Sequence, residues 1–367
     1  MKKRKRYTWF YIVIVLLVFY ISFFYMERTE ISDVDILLVV GIDKAADGYH
    51  VSGLYNKNGG VDEATGGTKL IDGTGATFYA AYNDLVQKNM KNVSIAHTTY
   101  YIFSEQAARS GMSQCLDYIE RDQTVKMNAM IYLLKGTSVK DFMQKSIEEK
   151  TQFNDQLKAI SEKQFDKKKL VDNTVNKISE ALAGNYDNLF IPYLEAENDN
   201  LYLNGYGIIK KDTFVAYLDR QQSLTLDFLR NRTRTYPIYL KNQVGLEITD
   251  SQVRSDVKIV NGSLVVNMNI LFESDIKEVA STDHVYEDYY VDQLENLQNQ
   301  YMENQLMDLI QVAEDYNLDL VDAAGKLRTT YVKDWETISE NWNYYFSDIS
   351  YQFNIKSQAA QSYVVAN

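Results

Sequence analysis

Residues 7–26, YTWFYIVIVLLVFYISFFYM, follow five cations: Lys2, Lys3, Arg4, Lys5 and Arg6. No charge, glycine or proline interrupts the stretch, and Thr8 and Ser22 are its only aliphatic hydroxyls. About 20 residues rising about 1.5 Å each match a hydrocarbon core about 30 Å thick, so the stretch predicts a membrane span. Basic residues stay on the cytoplasmic side, which places the N-terminal residues 1–6 in the cytoplasm and everything after residue 26 outside it. Tyr7, Trp9, Tyr11, Tyr20 and Tyr25 gather toward the two ends, where amphipathic rings favour the headgroup region; Leu16, Leu17 and Phe23 supply apolar bulk. A cleavable signal peptide has a shorter apolar core and small residues at its exit. Here the exit is Phe23-Phe24-Tyr25-Met26-Glu27-Arg28, so an uncleaved anchor is expected.

Charge separates the anchor from the rest. Residues 1–30 hold six of the 38 Lys and Arg and two of the 50 Asp and Glu, leaving 32 against 48, a net of −16, for the remainder. Such an ectodomain repels nucleic acid, and an anionic bilayer too unless it carries a local basic face. With Cys115 the sole cysteine, no intrachain disulfide or thiolate metal cluster can form, and its helical apolar setting reads as a small buried side chain. The 29 tyrosines could line binding pockets, but strand and core positions account for them more simply.

Periodicity predicts an α+β ectodomain after the N-terminal transmembrane helix, with several domains. Residues 31–195 read as an N-terminal α+β domain, 200–250 as a middle β-rich segment, and 251–367 as a C-terminal α+β domain with a long helix. Residues 34–42 and 49–55 form a hairpin, and residues 58–68 form a polar loop. Asp72-Gly73-Thr74-Gly75 reads as a tight turn opening a helix with Phe78, Tyr82, Leu85 and Val86 on one face; the dinucleotide and GK[ST] spacings are absent. Residues 97–103 are strand-like, with Ser104 capping the following helix. Residues 125–134 return as a strand, and a charged helical stretch runs over 138–169. There Lys163, Lys167, Lys168 and Lys169 read as a solvated face. Asp172 opens a helix with Val175, Ile178 and Leu182 inward, ending at Gly184, and Pro192 reads as a domain edge. Strands are expected at 201–210, 213–218 and 236–247. Asn261-Gly262 joins 253–260 to 264–272 in the strongest hairpin signal. Helices follow over 285–313, with Tyr290, Leu294, Leu297, Tyr301 and Leu309 on a stripe, and over 332–346 with Trp335, Ile338, Trp342 and Tyr345, before a closing strand at 349–355. No regular βαβ repeat is evident.

Catalytic and metal signatures are missing. His50, His97 and His284 have no His or Cys at ligand spacing, and no nucleophile elbow, Walker sequence or HExxH occurs. The adjacent acids Glu148/Glu149 and Glu287/Asp288 diverge on helices and read as solvated. Neither catalysis nor a cofactor is expected.

Several stretches, in order, resemble the Ger(x)C family, the C subunits of bacterial spore germinant receptors. Leu37-Leu38-Val39-Val40-Gly41-Ile42-Asp43-Lys44, with Gly48 and Tyr49 after it, is similar to the family's apolar strand ending in G-I-D-K. Residues 97–103 lead into Ser104-Glu105-Gln106-Ala107-Ala108-Arg109-Ser110-Gly111, then Leu116-Asp117-Tyr118-Ile119-Glu120-Arg121-Asp122. These resemble the family's GExxAxxG helix and its LD run closing in RD, with Ser104 where the family has Gly. Lys135-Gly136-Thr137-Ser138 fits as well, and Gly205-Tyr206-Gly207-Ile208-Ile209 and residues 335–342, including Trp342, match more loosely. The resemblance implies a membrane-anchored, non-enzymatic receptor subunit acting in assembly or signal coupling during spore germination. Its implied partners are multispanning A-type and B-type subunits, and its implied place is the outer face of the spore inner membrane or cell membrane. The alternative is a membrane-tethered ligand sensor acting alone. Family members typically carry a lipidated cysteine, but no Cys precedes Cys115 here, so the span is expected to be the anchor. Apolar residues near 31–40 are expected to contact a partner.

Overall fold

A computed structural model describes residues 2–24, 34–56, 67–166, 171–183, 188–197, 200–233, 235–240, 244–279 and 288–360. Its elements begin with α1 (Lys2–Phe24), β1 (Val34–Ala45), β2 (Gly48–Asn56), β3 (Thr68–Gly75), α2 (Phe78–Lys88), β4 (Asn92–Ser94), β5 (Tyr100–Ser104), α3 (Glu105–Arg109) and α4 (Ser113–Arg121). There follow β6 (Met130–Lys135), α5 (Val139–Glu148), α6 (Phe153–Asp166), α7 (Val175–Ala183), β7 (Asn188–Glu197), β8 (Asn200–Lys210), β9 (Thr213–Leu218) and α8 (Arg220–Leu229). The last group is β10 (Tyr236–Leu240), β11 (Val244–Val260), β12 (Ser263–Glu278), α9 (Asp288–Tyr316), α10 (Ala323–Thr330), α11 (Trp335–Glu340), α12 (Trp342–Ser347) and β13 (Ser350–Ala360).

The fold is mixed α+β around two sheets. The first runs β3-β2-β1-β5-β6-β7-β8-β9, with β4 beside β1, and the second runs β10-β11-β12-β13. The strands of residues 200–250 divide between them. The centre of the first sheet is parallel, β1 to β5, β5 to β6 and β6 to β7, so crossovers carrying helices are present where no regular βαβ repeat was evident from the sequence. Such strands must be apolar on both faces, and β5 and β6 are. Tyr101, Phe103, Ile131 and Leu133 join the core under α2, α3, α4 and α7. Tyr100, Ile102, Tyr132 and Leu134 join the opposite core under α5 and α6. An apolar run shows that a strand is buried twice, but not which strand it pairs with.

Asp72-Gly73-Thr74-Gly75 is the end of β3 and not a turn. The glycines are bare because α2 lies on them: a Cβ on Gly73 would strike the backbone of Ala81 and Leu85. Pro192 lies inside β7, opposite Tyr206 of β8, just before the pairing with β6 begins. Residues 34–40 form a central strand with Leu37, Val39 and Val40 wholly buried, which corrects the expected contact patch; residues 31–33 lie outside the described residues. The same holds for residues 58–66 of the polar loop, Lys167 to Lys169, Gly184 and His284.

In the second sheet, Asn261 (φ 52°) and Gly262 (φ 89°) make the expected turn between β11 and β12, and β13 adds in parallel. Helix α8 was not foreseen. On α9 the buried line passes through Leu294, Gln298, Met302 and Leu306, and Leu297, expected on the stripe, is 39 % exposed and off that line. The expected helix over 332–346 is two short ones broken at Asn341.

The two sheets share one core, to which Phe190, Tyr206, Ile208 and Leu218 contribute from the first. Polar contacts fix the junction. Lys210 Nζ donates to the carbonyls of Tyr316 and Asn317 at 3.0 Å, and Asn188 binds the backbone of Asp319 both ways at 3.4 and 3.1 Å. Arg230 Nε donates to Leu320 O at 3.1 Å while its guanidinium lies 4.8 Å from the Phe190 ring centre. Burial, then the neighbouring Arg232, pulls Arg230 down to about 10, which still leaves it a cation.

Helix α1 carries the apolar sequence, and its described side chains, Trp9 to Tyr20, are 39–71 % exposed on every side. Among the described residues no helix is long and apolar enough to cross a membrane.

Gly73→Ala is expected to push α2 off β3 and cost about 1–3 kcal/mol, read as a lowered urea midpoint with an unchanged slope.

Candidate functional site

The family-like residues of the first half converge on the ends of β1, β5 and β6 and on the helices that leave them. On β1, a Cβ at Gly41 would lie 2.5 Å from Ser52 Oγ and 2.6 Å from Val139 Cγ1, so bare backbone lets α5 lie against the strand. Two residues on, the buried Asp43 carboxylate accepts the amides of Val139 at 2.8 Å and Lys140 at 2.9 Å. Ser138 accepts from Asp141 N at 3.0 Å. Strand β1 and the local cap thus satisfy three of the free amides that open α5. Gly136 (φ 82°) turns the chain into this helix, and Lys44 Nζ sits 4.9 Å from the Tyr49 ring centre.

The β5 end repeats the arrangement. Ser104 caps α3 through Ala107 N, and Ala108 is fully buried. Gly111 has φ 104°, and a Cβ there would lie 2.8 Å from Asp212 Oδ2. Asp212, in the β8–β9 turn, accepts on Oδ1 from Met112 N (2.9 Å), Ser113 N (2.7 Å) and Ser113 Oγ (2.6 Å), which holds the start of α4.

Between these caps runs a charged and aromatic network. Glu105 Oε1 accepts from Arg109 Nη2 at 2.8 Å, and its Oε2 accepts from Tyr217 Oη at 3.0 Å. The Arg109 guanidinium lies 4.5 Å from the Phe214 ring centre. Lys135 Nζ is 3.5 Å from Glu195 and 5.4 and 5.3 Å from the rings of Tyr193 and Tyr217, and Asn204 donates to Glu195 at 2.5 Å. Burial, then the Glu105 carboxylate, pushes the Tyr217 phenol far above its ordinary value, so it stays a donor. The network is half-exposed and internally paired, a rigid patch suited to contact more than to chemistry. Sequence reading quoted Glu105 and Lys135 but missed Asp212, Tyr217, Glu195 and Asn204. Asp212 was legible only as one of the two residues between the strands expected at 201–210 and 213–218, and nothing local marks the others.

Other candidates stand apart. Arg121 pairs with Asp117 at 2.8 Å but is 75 % exposed, so the pair adds little. Trp342 is on the second sheet's side, 6.3 Å from Trp335 and 5.3 Å from Phe346 between ring centres. Trp9, Leu16 and Leu17 are exposed on α1; Tyr7 and Phe23 lie in that helix by their backbone, and Tyr25 lies outside the described residues. Burial pushes the Cys115 thiol up to about 12, so it is no thiolate at neutral pH. Among the described residues, no group of three or more His, Cys, Asp or Glu side chains could hold a metal ion. Tyr101, Tyr132, Tyr193 and Tyr236 are core residues, and a cleft of about 1010 Å³ along β11, β12, β13 and α9 has no tyrosine in its lining.

His50 Nε2 lies 2.7 Å from Asp72 Oδ2, which also accepts from Lys140 Nζ at 3.0 Å. Burial raises Asp72, but the hydrogen bonds from His50 and Lys140 outweigh it and hold the carboxyl below the ordinary range.

Asp43→Ala strips two amides of a buried acceptor and is expected to cost about 2 kcal/mol, read by urea unfolding. For Asp72 the folded value lies below the unfolded one, so its stabilisation is present above about pH 4 and is lost as pH falls through the folded value. Asp72→Asn should therefore flatten the acid limb of stability against pH, measured by urea midpoints.

Residues 27–196 match the family described as spore germination protein N-terminal domain, and residues 204–362 the family described as spore germination B3/GerAC like, C-terminal. The putative spore germination protein YfkR of Bacillus subtilis (strain 168) is 22 % identical over 289 residues, 72 % of this chain and 74 % of that protein. Spore germination protein KC of the same organism is 19 % identical over 353 residues, 86 % of each. The crystal structure of the GerBC protein shares the fold, with a TM-score of 0.60 and 18 % identity, covering 87 % of this chain and 96 % of that one. With both family domains matched in order over residues 27–196 and 204–362, the chain belongs to the Ger(x)C family, the C subunits of bacterial spore germinant receptors.

Proposed function

We propose that this chain is the membrane-anchored, extracytoplasmic subunit of a nutrient germinant receptor, working by assembly and signal coupling beside multispanning A-type and B-type subunits. The observation that carries the reading is the pair of family matches, N-terminal then C-terminal, over residues 27–196 and 204–362. The anchor is α1 with the residues just after it. Its support is an uncharged apolar run behind five cations, in a helix whose described side chains find no cover in the rest of the chain. An apolar surface on every side of a helix calls for an apolar surrounding.

Deleting the gene should abolish the germination response to one class of nutrient while other responses persist, and the tagged chain should co-purify with multispanning partners from spore membranes. Unchanged responses together with a chain that purifies alone would reject the receptor role. The anchor is tested separately. Leu16→Arg with Leu17→Arg places two cations at the helix centre, each costing about 2.5–3.5 kcal/mol, and should release the chain from carbonate-washed membranes.

A further inference from the structure

The first residue of β1, Val34, pairs with Asn92 of β4, and nine residues separate β1 from the end of α1. Nine residues reach at most about 30 Å, so the start of β1 and what lies beside it stay close to wherever α1 is held. What lies beside it is the turn from α2 to β4, whose Met90 is the most exposed large apolar side chain described, at 104 %. A methionine standing fully out of a fold gains nothing from its own core.

The surrounding charge is unlike that of the ectodomain as a whole. Lys91 follows Met90 and is exposed. Lys69, exposed on β3, is opposite Tyr55, which pairs in turn with Leu37 near the start of β1. Lys126 and the 38 % exposed Met127 precede β6, which begins at this same end of the sheet. The nearby acids are already paired: Asp35 is buried and accepts from Asn89 Nδ2 at 2.9 Å, while the part-exposed Asp84 holds Lys88 at 2.6 Å and the part-exposed Asp122 accepts from Thr124. A surface with a net charge of −16 to dispose of thus keeps cations and two methionines at the end where the tether enters.

Resting on the reading of α1 as a membrane anchor, we propose that the α2–β4 turn docks on the lipid surface, with Met90 in the headgroup and acyl boundary and Lys91, Lys69 and Lys126 against lipid phosphates. The occupant is lipid because the tether brings this end to the membrane and because its charge complements an anionic leaflet. Docking there gives the ectodomain a second point of attachment and so a fixed tilt.

The test uses the full chain with Met90→Cys, an environment-sensitive fluorophore on that thiol, and vesicles of phosphatidylglycerol and phosphatidylcholine containing spin-labelled lipid. Cys115 is buried and stays unlabelled in the folded chain. Strong quenching at position 90 is expected, and none for the same probe at Tyr344→Cys, an exposed site on the second sheet's side. In phosphatidylcholine alone the docked-to-free ratio should fall about fivefold for each engaged cation. A chain that resists carbonate but keeps its position-90 probe in water overturns the docking and spares the anchor. A chain that carbonate strips off overturns both. Shielding that appears only with A-type and B-type subunits present assigns the turn to a protein partner and also overturns the proposal.

Discussion

The architecture hangs on carboxylates that hold helix starts far away in sequence. Asp43 grips the amides of residues 96 and 97 positions later, and Asp212 those of residues 100 and 99 positions earlier. Each works with a glycine. Gly41 removes the side chain that would keep α5 off β1, and Gly111 provides both the positive φ and the room for Asp212. A chain with one cysteine has no covalent means of fixing its helix layers to its sheet. A buried carboxylate with two or three amide donors does so with direction as well as energy, because a helix can satisfy it in only one position along its axis.

This explains why the sequence was readable in some places and not in others. Ser104, Ser138 and Asn261-Gly262 act on residues within a few positions of themselves, so their roles follow from local chemistry and were anticipated or directly legible. Asp43 carries no such local sign. It sits before a Lys and near a Gly, which looks like a turn, and its partners lie beyond five further strands and three helices. The parallel order of β1, β5, β6 and β7 was hidden for the same reason, since a doubly buried strand looks the same whichever neighbour it has. On α9 the stripe drifted: spacing alone admitted Leu297, whereas the packed line takes the polar Gln298, which donates to Ser357 and accepts from Ser274. A buried amide with both bonds made belongs in a core as well as a leucine does, and no apolar pattern reveals it.

The β8–β9 turn ties the halves together. Lys210 holds the end of α9, and two residues later Asp212 holds the start of α4. Between them Lys211, at φ 59°, sets the tight turn that points the two side chains at different helices. Because Phe190, Tyr206, Ile208 and Leu218 also belong to the core of the second sheet, the two sheets have little freedom to move apart. Helix α9 and the helices of the first sheet are thus joined through contacts spaced two residues apart.

Strand direction sorts the surface into two ends. The parallel strands β1, β5 and β6 begin at the end nearest α1 in sequence, so Asp43, Ser104 and Lys135 lie at the far end of the sheet. There each carboxylate already has its donors: Asp43 has two backbone amides, Glu105 has Arg109 and Tyr217, and Glu195 has Lys135 and Asn204. A ligand binding through these groups would have to replace bonds already made, and the exchange returns little. The motif residues Asp43, Glu105 and Lys135 therefore serve to hold the fold, and the exposed Met90 lies at the opposite end of the sheet, outside those motifs.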